Sequence, residues 1–206
     1  NGSSIGTLLV KGNNIESNQS SSGVYINIST DSNISSVSTG GIIGNQINNN
    51  VGANIAVSMN ENATATMYIQ DNTITGAKTL ANSTNASLLG DGINISLTDT
   101  AVMNGGAVRH NQVTGNARNG LFMSVTGNYD LGNTSTFPTA RIDNFVIGGP
   151  LVANGNLFQN NGANGVAIVR EERGQINNML VQNNVFNANT NDGLNINVSG
   201  ANRSNL

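Results

Sequence analysis

The sequence predicts an all-β fold, a parallel β-helix or solenoid of about six coils, and three patterns carry that prediction. First, an Asn stands two residues before a large apolar residue at Asn13/Ile15, Asn45/Ile47, Asn72/Ile74, Asn111/Val113, Asn156/Phe158 and Asn184/Phe186. Second, apolar or small residues precede these key residues by seven and five positions: Leu8 and Val10, Gly40 and Ile42, Met67 and Ile69, Gly106 and Val108, Leu151 and Ala153, Met179 and Val181. Third, an alternating apolar run follows each key residue: Val24-Ile26-Ile28, Ile55-Val57-Met59, Ile93-Ile95-Leu97, Leu121-Met123-Val125, Val166-Ile168 and Leu194-Ile196-Val198. Alternation with period two marks strands with one buried face. Successive Asn positions are 32, 27, 39, 45 and 28 residues apart, which are spacings of a repeat architecture.

Taken in chain order within a repeat, each element follows from its residues. The short strand around the key residue cannot bury its apolar side alone. Stacked coils, paired about every 4.8 Å, bury it between neighbours. In such a stack the Asn at the entry of the strand meets the Asn above and below, so its amide finds partners although it is buried. The turn before the third strand has its own signature in Asp91-Gly92, Asn119-Gly120, Asn164-Gly165 and Asp192-Gly193, with Ser22-Gly23 and Ala53-Asn54 as variants. Gly and Asn tolerate positive φ, which predicts a left-handed corner at that position. Helices are disfavoured throughout: no long apolar stripe of helical period runs free of β-branched residues, Gly and Asn.

The segment Gly155-Asn156-Leu157-Phe158-Gln159-Asn160-Asn161 followed by Gly165-Val166-Ala167-Ile168 resembles the right-handed parallel β-helix repeats of the pectate-lyase-like superfamily. The resemblance runs from about residue 8 to residue 198. It implies a right-handed solenoid with an Asn ladder and a few loop insertions. For activity it implies little, because that superfamily holds polysaccharide lyases, glycoside hydrolases, epimerases, phage tailspikes and surface proteins without known chemistry.

Composition narrows the partners. Charged residues make up 9% of the 206, the net charge is −3, and the eight Lys and Arg are scattered without interleaved aromatics, which argues against nucleic acid. No apolar run is long enough to span a membrane. With no Cys there are no disulfides, thiolate metal sites or Cys nucleophiles, and no cofactor is implied. The reading is a single domain over residues 1–206, a segment of a longer exported protein placed extracellularly or at the cell surface. Its expected partners are a polysaccharide or cell-surface glycan and neighbouring β-helix coils or domains of the same chain.

Three protrusions are expected from coil-length differences: residues 76–90, residues 127–140 with Pro138, and the charged Arg170-Glu171-Glu172-Arg173. Arg170 falls where the alternation of Val166 and Ile168 calls for an inward apolar residue, so that strand is expected to end early.

The best chemical constellation comes from aligning coils. Asp71 and His110 occupy one turn position on neighbouring coils, and Gln70 and Arg109 occupy the position before it. Asp71, Arg109 and His110 are therefore the candidate binding residues, either as an acid/base group or for a sugar carboxylate. Polygalacturonase-like relatives use an adjacent Asp pair and a Gly-His-Gly segment, and neither is present. No two carboxylates are expected to share a column on neighbouring coils, and Asp91 and Asp192 share one only three coils apart. The expectation is a non-catalytic segment acting as a rigid stalk, adhesive or glycan-binding surface. The alternative is a carbohydrate-active module whose substrate runs past Tyr25, Asn94, Phe122 and Asn195.

Overall fold

The computed structural model describes residues 3–35, 40–81, 89–127 and 139–200. These residues form a right-handed parallel β-helix in which every paired strand is parallel to its neighbours and belongs to one of three sheets. One sheet holds the six key strands, Asn14–Glu16, Gln46–Asn48, Thr73–Thr75, Gln112–Thr114, Leu157–Gln159 and Val185–Asn187. Its register puts Ile15, Ile47, Ile74, Val113, Phe158 and Phe186 in a single line. At the end of that line the Phe158 and Phe186 rings stack, with centroids 5.6 Å apart.

The following sheet contains Val24–Ile28, Ile55–Met59, Ile93–Asp99, Leu121–Gly127, Val166–Glu171 and Leu194–Val198. Its inward residues again pair in register, as in Ile26, Val57, Ile95, Met123, Ile168 and Ile196. The remaining sheet precedes the key strands and has ten members. In two coils a single long strand, Thr64–Gln70 or Val102–Arg109, spans what other coils divide into two short ones. The side chains pointing inward from all three sheets merge into one core, fully buried in the middle coils and half-buried at Val10, Ile15 and Val24 at one end and Ile176, Val181 and Phe186 at the other.

Three Asn ladders run along the stack. In the first, each Asn donates both its backbone N–H and its Nδ2 to the Oδ1 of the next, from Asn13 through Asn45, Asn72, Asn111 and Asn156 to Asn184, at 2.8–3.0 Å. The second Nδ2 hydrogen goes to a carbonyl of the preceding coil, for example Asn72 to Ile42 and Asn156 to Val108. Two donors and two acceptor positions are thus all used, which is the full capacity of a carboxamide.

The second ladder lies three residues after each key residue, through Asn18, Asn50, Asn116, Asn161 and Asn189. The third coil has Ala77 where the ladder needs an amide. Asn54 fills the gap from a different turn: its Oδ1 accepts from Asn50 Nδ2 at 2.8 Å, and its Nδ2 donates to Asn116 Oδ1 at 3.2 Å. Asn54 therefore stands at a Gly position because its side chain replaces a missing rung.

Three expectations need correction. The corner residues Gly23, Gly92, Gly120, Gly165, Gly193 and Asn54 do not have positive φ. Glycine is used there for close approach: a Cβ on Gly120 would lie 2.6 Å from Gly165 O and 2.8 Å from Phe158 Cδ1, and Gly92 and Gly165 are equally confined. Leu151 and Ala153 do not belong to the inward alternation. Ile147, on Val146–Gly148, pairs with Val108 and Val181 instead, and residues 149–155 form an insertion containing the 3₁₀ turn Val152–Asn154. Arg170 does not end its strand, which continues to Glu171; its Nε donates to Gly174 O at 2.6 Å, so its charge is turned onto the turn that follows. Of the three expected protrusions, the first is pinned at its base by the Thr79–Leu89 bridge and the third is this strand end and turn. Residues 82–88 and 128–138, including Pro138, lie outside the described residues.

Candidate functional site

Asp71 and His110 follow the two long strands Thr64–Gln70 and Val102–Arg109, and both adopt left-handed backbone, φ 59° and 53°. Gly12 and Gly44 occupy the same turn in earlier coils with φ 69° and 62°, so across these four coils the corner keeps one backbone conformation and only its side chain varies. The structure brings the predicted pair together: His110 Nδ1 contacts Asp71 Oδ1. The insertion approaches from above, its Asn154 carbonyl accepting the His110 backbone N–H at 3.1 Å. One position earlier, Arg109 Nε donates to Gln70 Oε1 at 2.7 Å, and the guanidinium lies 5.8 Å from the centre of the Tyr68 ring.

The pair is solvated, with side chains 63% exposed for His110 and 48% for Asp71. A solvent-exposed contact of this kind contributes about 0–1 kcal/mol. Arg109 is half-buried and Gln70 is buried beneath it. The arrangement is an open polar ridge, capable of hydrogen-bonding a sugar or a carboxylate laid across it. Among the described residues no group of three or more His, Cys, Asp or Glu side chains is placed to hold a metal ion.

A buried cluster escaped the reading of the sequence. Asp91 is fully buried and accepts from Arg118 Nε at 2.8 Å, from the Asn119 backbone N–H and Nδ2 at 3.0 and 2.9 Å, and from Asn94 Nδ2 at 3.1 Å; Arg118 Nη2 also contacts its second oxygen. The guanidinium lies 4.6 Å from the centre of the Phe122 ring. Asp91 begins the third ladder, which continues through Asn119 and Asn164 to Asp192. The Asp/Asn-Gly corner signature, together with Arg118 beside it, was the available signal. Asn94 is consequently turned onto Asp91 and only 2% exposed, so the line Tyr25, Asn94, Phe122, Asn195 does not offer Asn94 to a ligand.

The expectation about carboxylate columns is also overturned. Glu61 and Asp99 lie two residues beyond the register partners Met59 and Leu97, both with positive φ, and so share a turn position on adjacent coils. Neighbouring coils are about 4.8 Å apart, slightly less than the roughly 5–5.5 Å between the paired carboxylates of retaining glycosidases. The turn is not built like a cleft: Glu61 takes a contact from the Thr30 hydroxyl, and Asp99 one from Thr98 at 3.1 Å. At the C-terminal end of the described coils lies a cavity of about 480 Å³, lined by Ile168, Ile176, Met179, Val181, Ile196 and Val198 together with the polar Arg170 and Asn178.

No family model, no curated protein and no solved structure matches this chain.

Proposed function

We propose that the chain is a non-catalytic β-helix segment of a secreted or cell-surface protein, serving as a rigid stalk, adhesive or glycan-binding surface. What carries the reading is the way polar groups are spent. Three amide ladders stiffen the stack, and Asp91, Asp143 and Glu61 are each held by neighbouring donors of the structure rather than gathered in a common cleft. Catalytic sites for polysaccharides gather several ionisable groups whose environments differ. The resemblance to pectate-lyase-like repeats supports an extended polysaccharide as the ligand class, laid along the coils over Asp71, Arg109 and His110.

The test is direct. The purified protein should release no product from pectin, alginate or a comparable acidic polymer, and should bind one of them by calorimetry more weakly after Arg109→Ala. Absence of binding to any acidic or neutral polymer removes the glycan-binding version and leaves a stalk.

The second reading, a carbohydrate-active module, is favoured by one observation, the contact of His110 with Asp71 beside Arg109. A carboxylate on Nδ1 orients an imidazole for proton transfer from Nε2. Product formation that disappears in His110→Ala would establish it.

A further inference from the structure

We infer that an acidic polysaccharide lies on one particular surface, an apolar stripe along the outer face of the ten-stranded sheet, with its carboxylates toward Lys11 and Arg109. The inference rests on the glycan-binding reading above. It adds the contact face, the direction of the polymer and the side chains that meet its rings.

Outward side chains of a solvated sheet are ordinarily polar. Other outward columns of this stack contain such residues, as in Asn27, Ser58, Ser96, Ser124 and Asn197, or in Gln46, Thr73 and Gln112. One column differs in every coil. Leu9 pairs with Gly41, Gly41 is pressed against the Tyr68 backbone, Tyr68 pairs with Ala107, Ala107 with Val146, and Val146 with Leu180. The residues that follow them, among them Val10, Ile69, Val108 and Val181, point into the core, so this column points out. The Tyr68 phenol is its one polar group. Leu9 and Leu180 are 52% and 53% exposed, and Tyr68 and Val146 are half-buried. A continuous apolar row kept in water marks an interaction surface.

The next outward column supplies cations. Lys11 pairs with Ile43, Ile43 with Gln70 and Gln70 with Arg109, so Lys11 and Arg109 flank the stripe three coil steps, roughly 14 Å, apart. The Arg109 guanidinium lies 5.8 Å from the centre of the Tyr68 ring, and its Nε is fixed by Gln70 Oε1 at 2.7 Å. Charge and ring are thus presented side by side. Asp71, at the corner after Gln70, turns its carboxylate onto His110.

An extended acidic polysaccharide matches this arrangement. Its rings carry C–H faces that pack on aliphatic and aromatic side chains, while carboxylates at the ring edges reach cations standing one column to the side. The stripe runs along the stack, so the polymer crosses the strands. A second copy of the chain matches it less well. One side chain wide and roughly 24 Å long, the stripe offers a small part of the ~800 Å² that each partner of a stable protein interface buries.

The experiment is calorimetric titration of the 206-residue protein and its variants with alginate and with pectin, with circular dichroism confirming the β-sheet in each. Tyr68→Ala and Leu180→Ser should each weaken binding about three- to tenfold, while Tyr68→Phe, which keeps the ring, should stay within about twofold. Gln112→Ala, on the outer face of the key strands, should leave the affinity unchanged. Binding that falls with Arg109→Ala but is untouched by Tyr68→Ala and Leu180→Ser overturns the inference and leaves the glycan reading standing. An equal loss in Gln112→Ala overturns it as well, since the contact would then extend over another sheet. Failure of the unaltered protein to bind either polymer removes the inference together with the acidic-glycan version of that reading. Light scattering that gives a dimer for the unaltered protein and a monomer for Leu180→Ser also overturns it, because a second copy would then cover the stripe.

Discussion

At the scale of single residues, stability rests on amides that are buried and fully used. Asn111 accepts from Asn72 twice, donates to Asn156 Oδ1 from both nitrogens, and reaches the carbonyls of Ile69 and Arg109. Asn111→Ala removes the acceptor for two buried donors and should destabilise by about 1–3 kcal/mol, read from urea or thermal unfolding. Exposed Asn14→Ala should stay within about 0.5 kcal/mol. The repaired rung gives a sharper test. Asn54→Gly should cost about 1–2 kcal/mol by leaving Asn50 and Asn116 without their amide partner, and Ala77→Asn added to it should restore most of that loss. A double variant no more stable than Asn54→Gly would mean that Asn54 does not stand in for the missing rung. His110→Ala, by contrast, touches a solvated pair and should shift stability by less than about 0.5 kcal/mol.

Between residues and molecule, the elements show how corners are enforced. A corner set by φ and a corner set by contact both select Gly, and a single sequence does not separate them. Gly115 has φ +64° with open space around it, whereas Gly120 has no positive φ and is pressed against Gly165 O. Gly120→Ala should therefore destabilise by about 1–3 kcal/mol through overpacking, with the carbonyl of the next coil displaced. Gly115→Ala should cost about 1–2 kcal/mol from backbone strain alone. Comparable losses with unchanged amide shifts at Gly165 in the Gly120 variant would refute the contact account. The insertion 149–155 illustrates the other hazard of element assignment: Leu151 and Val152 are apolar yet 64% and 79% exposed, because the coil had already placed Ile147 inward before the chain left the sheet.

Over the whole molecule, the stack behaves as a row of nearest-neighbour coils, and its stability is uneven along its length. Inward residues of the middle coils, such as Ile95 and Met123, are fully buried, while Ile196 and Val198 in the last described strand are 60% and 66% exposed. A coil with one neighbour has half the interfaces of a coil with two. In a protein of these 206 residues alone, hydrogen exchange should accordingly be slowest in Ile93–Asp99 and Leu121–Gly127 and faster in Leu194–Val198. Uniform protection along the chain would point to a single cooperative unit instead.

The sequence by itself determined the fold class, the line of six key residues, the alternation of the strands that follow them and the first Asn ladder, because these depend on patterns repeated in every coil. It also placed Asp71 next to His110 and Gln70 next to Arg109, since both pairs follow from register alone. Tertiary structure decided what register leaves open. Whether a Gly serves backbone angle or close approach depends on the coil above it, and whether Asn94 faces solvent depends on Asp91, three residues earlier, being held by Arg118 and Asn119 of the next coil. The substitution of Asn54 for a missing rung, the inward place of Ile147 and the shared turn of Glu61 and Asp99 likewise emerge only when coils of unequal length are stacked. Insertions shift the count along the chain, but hydrogen bonding across about 4.8 Å restores the alignment in space.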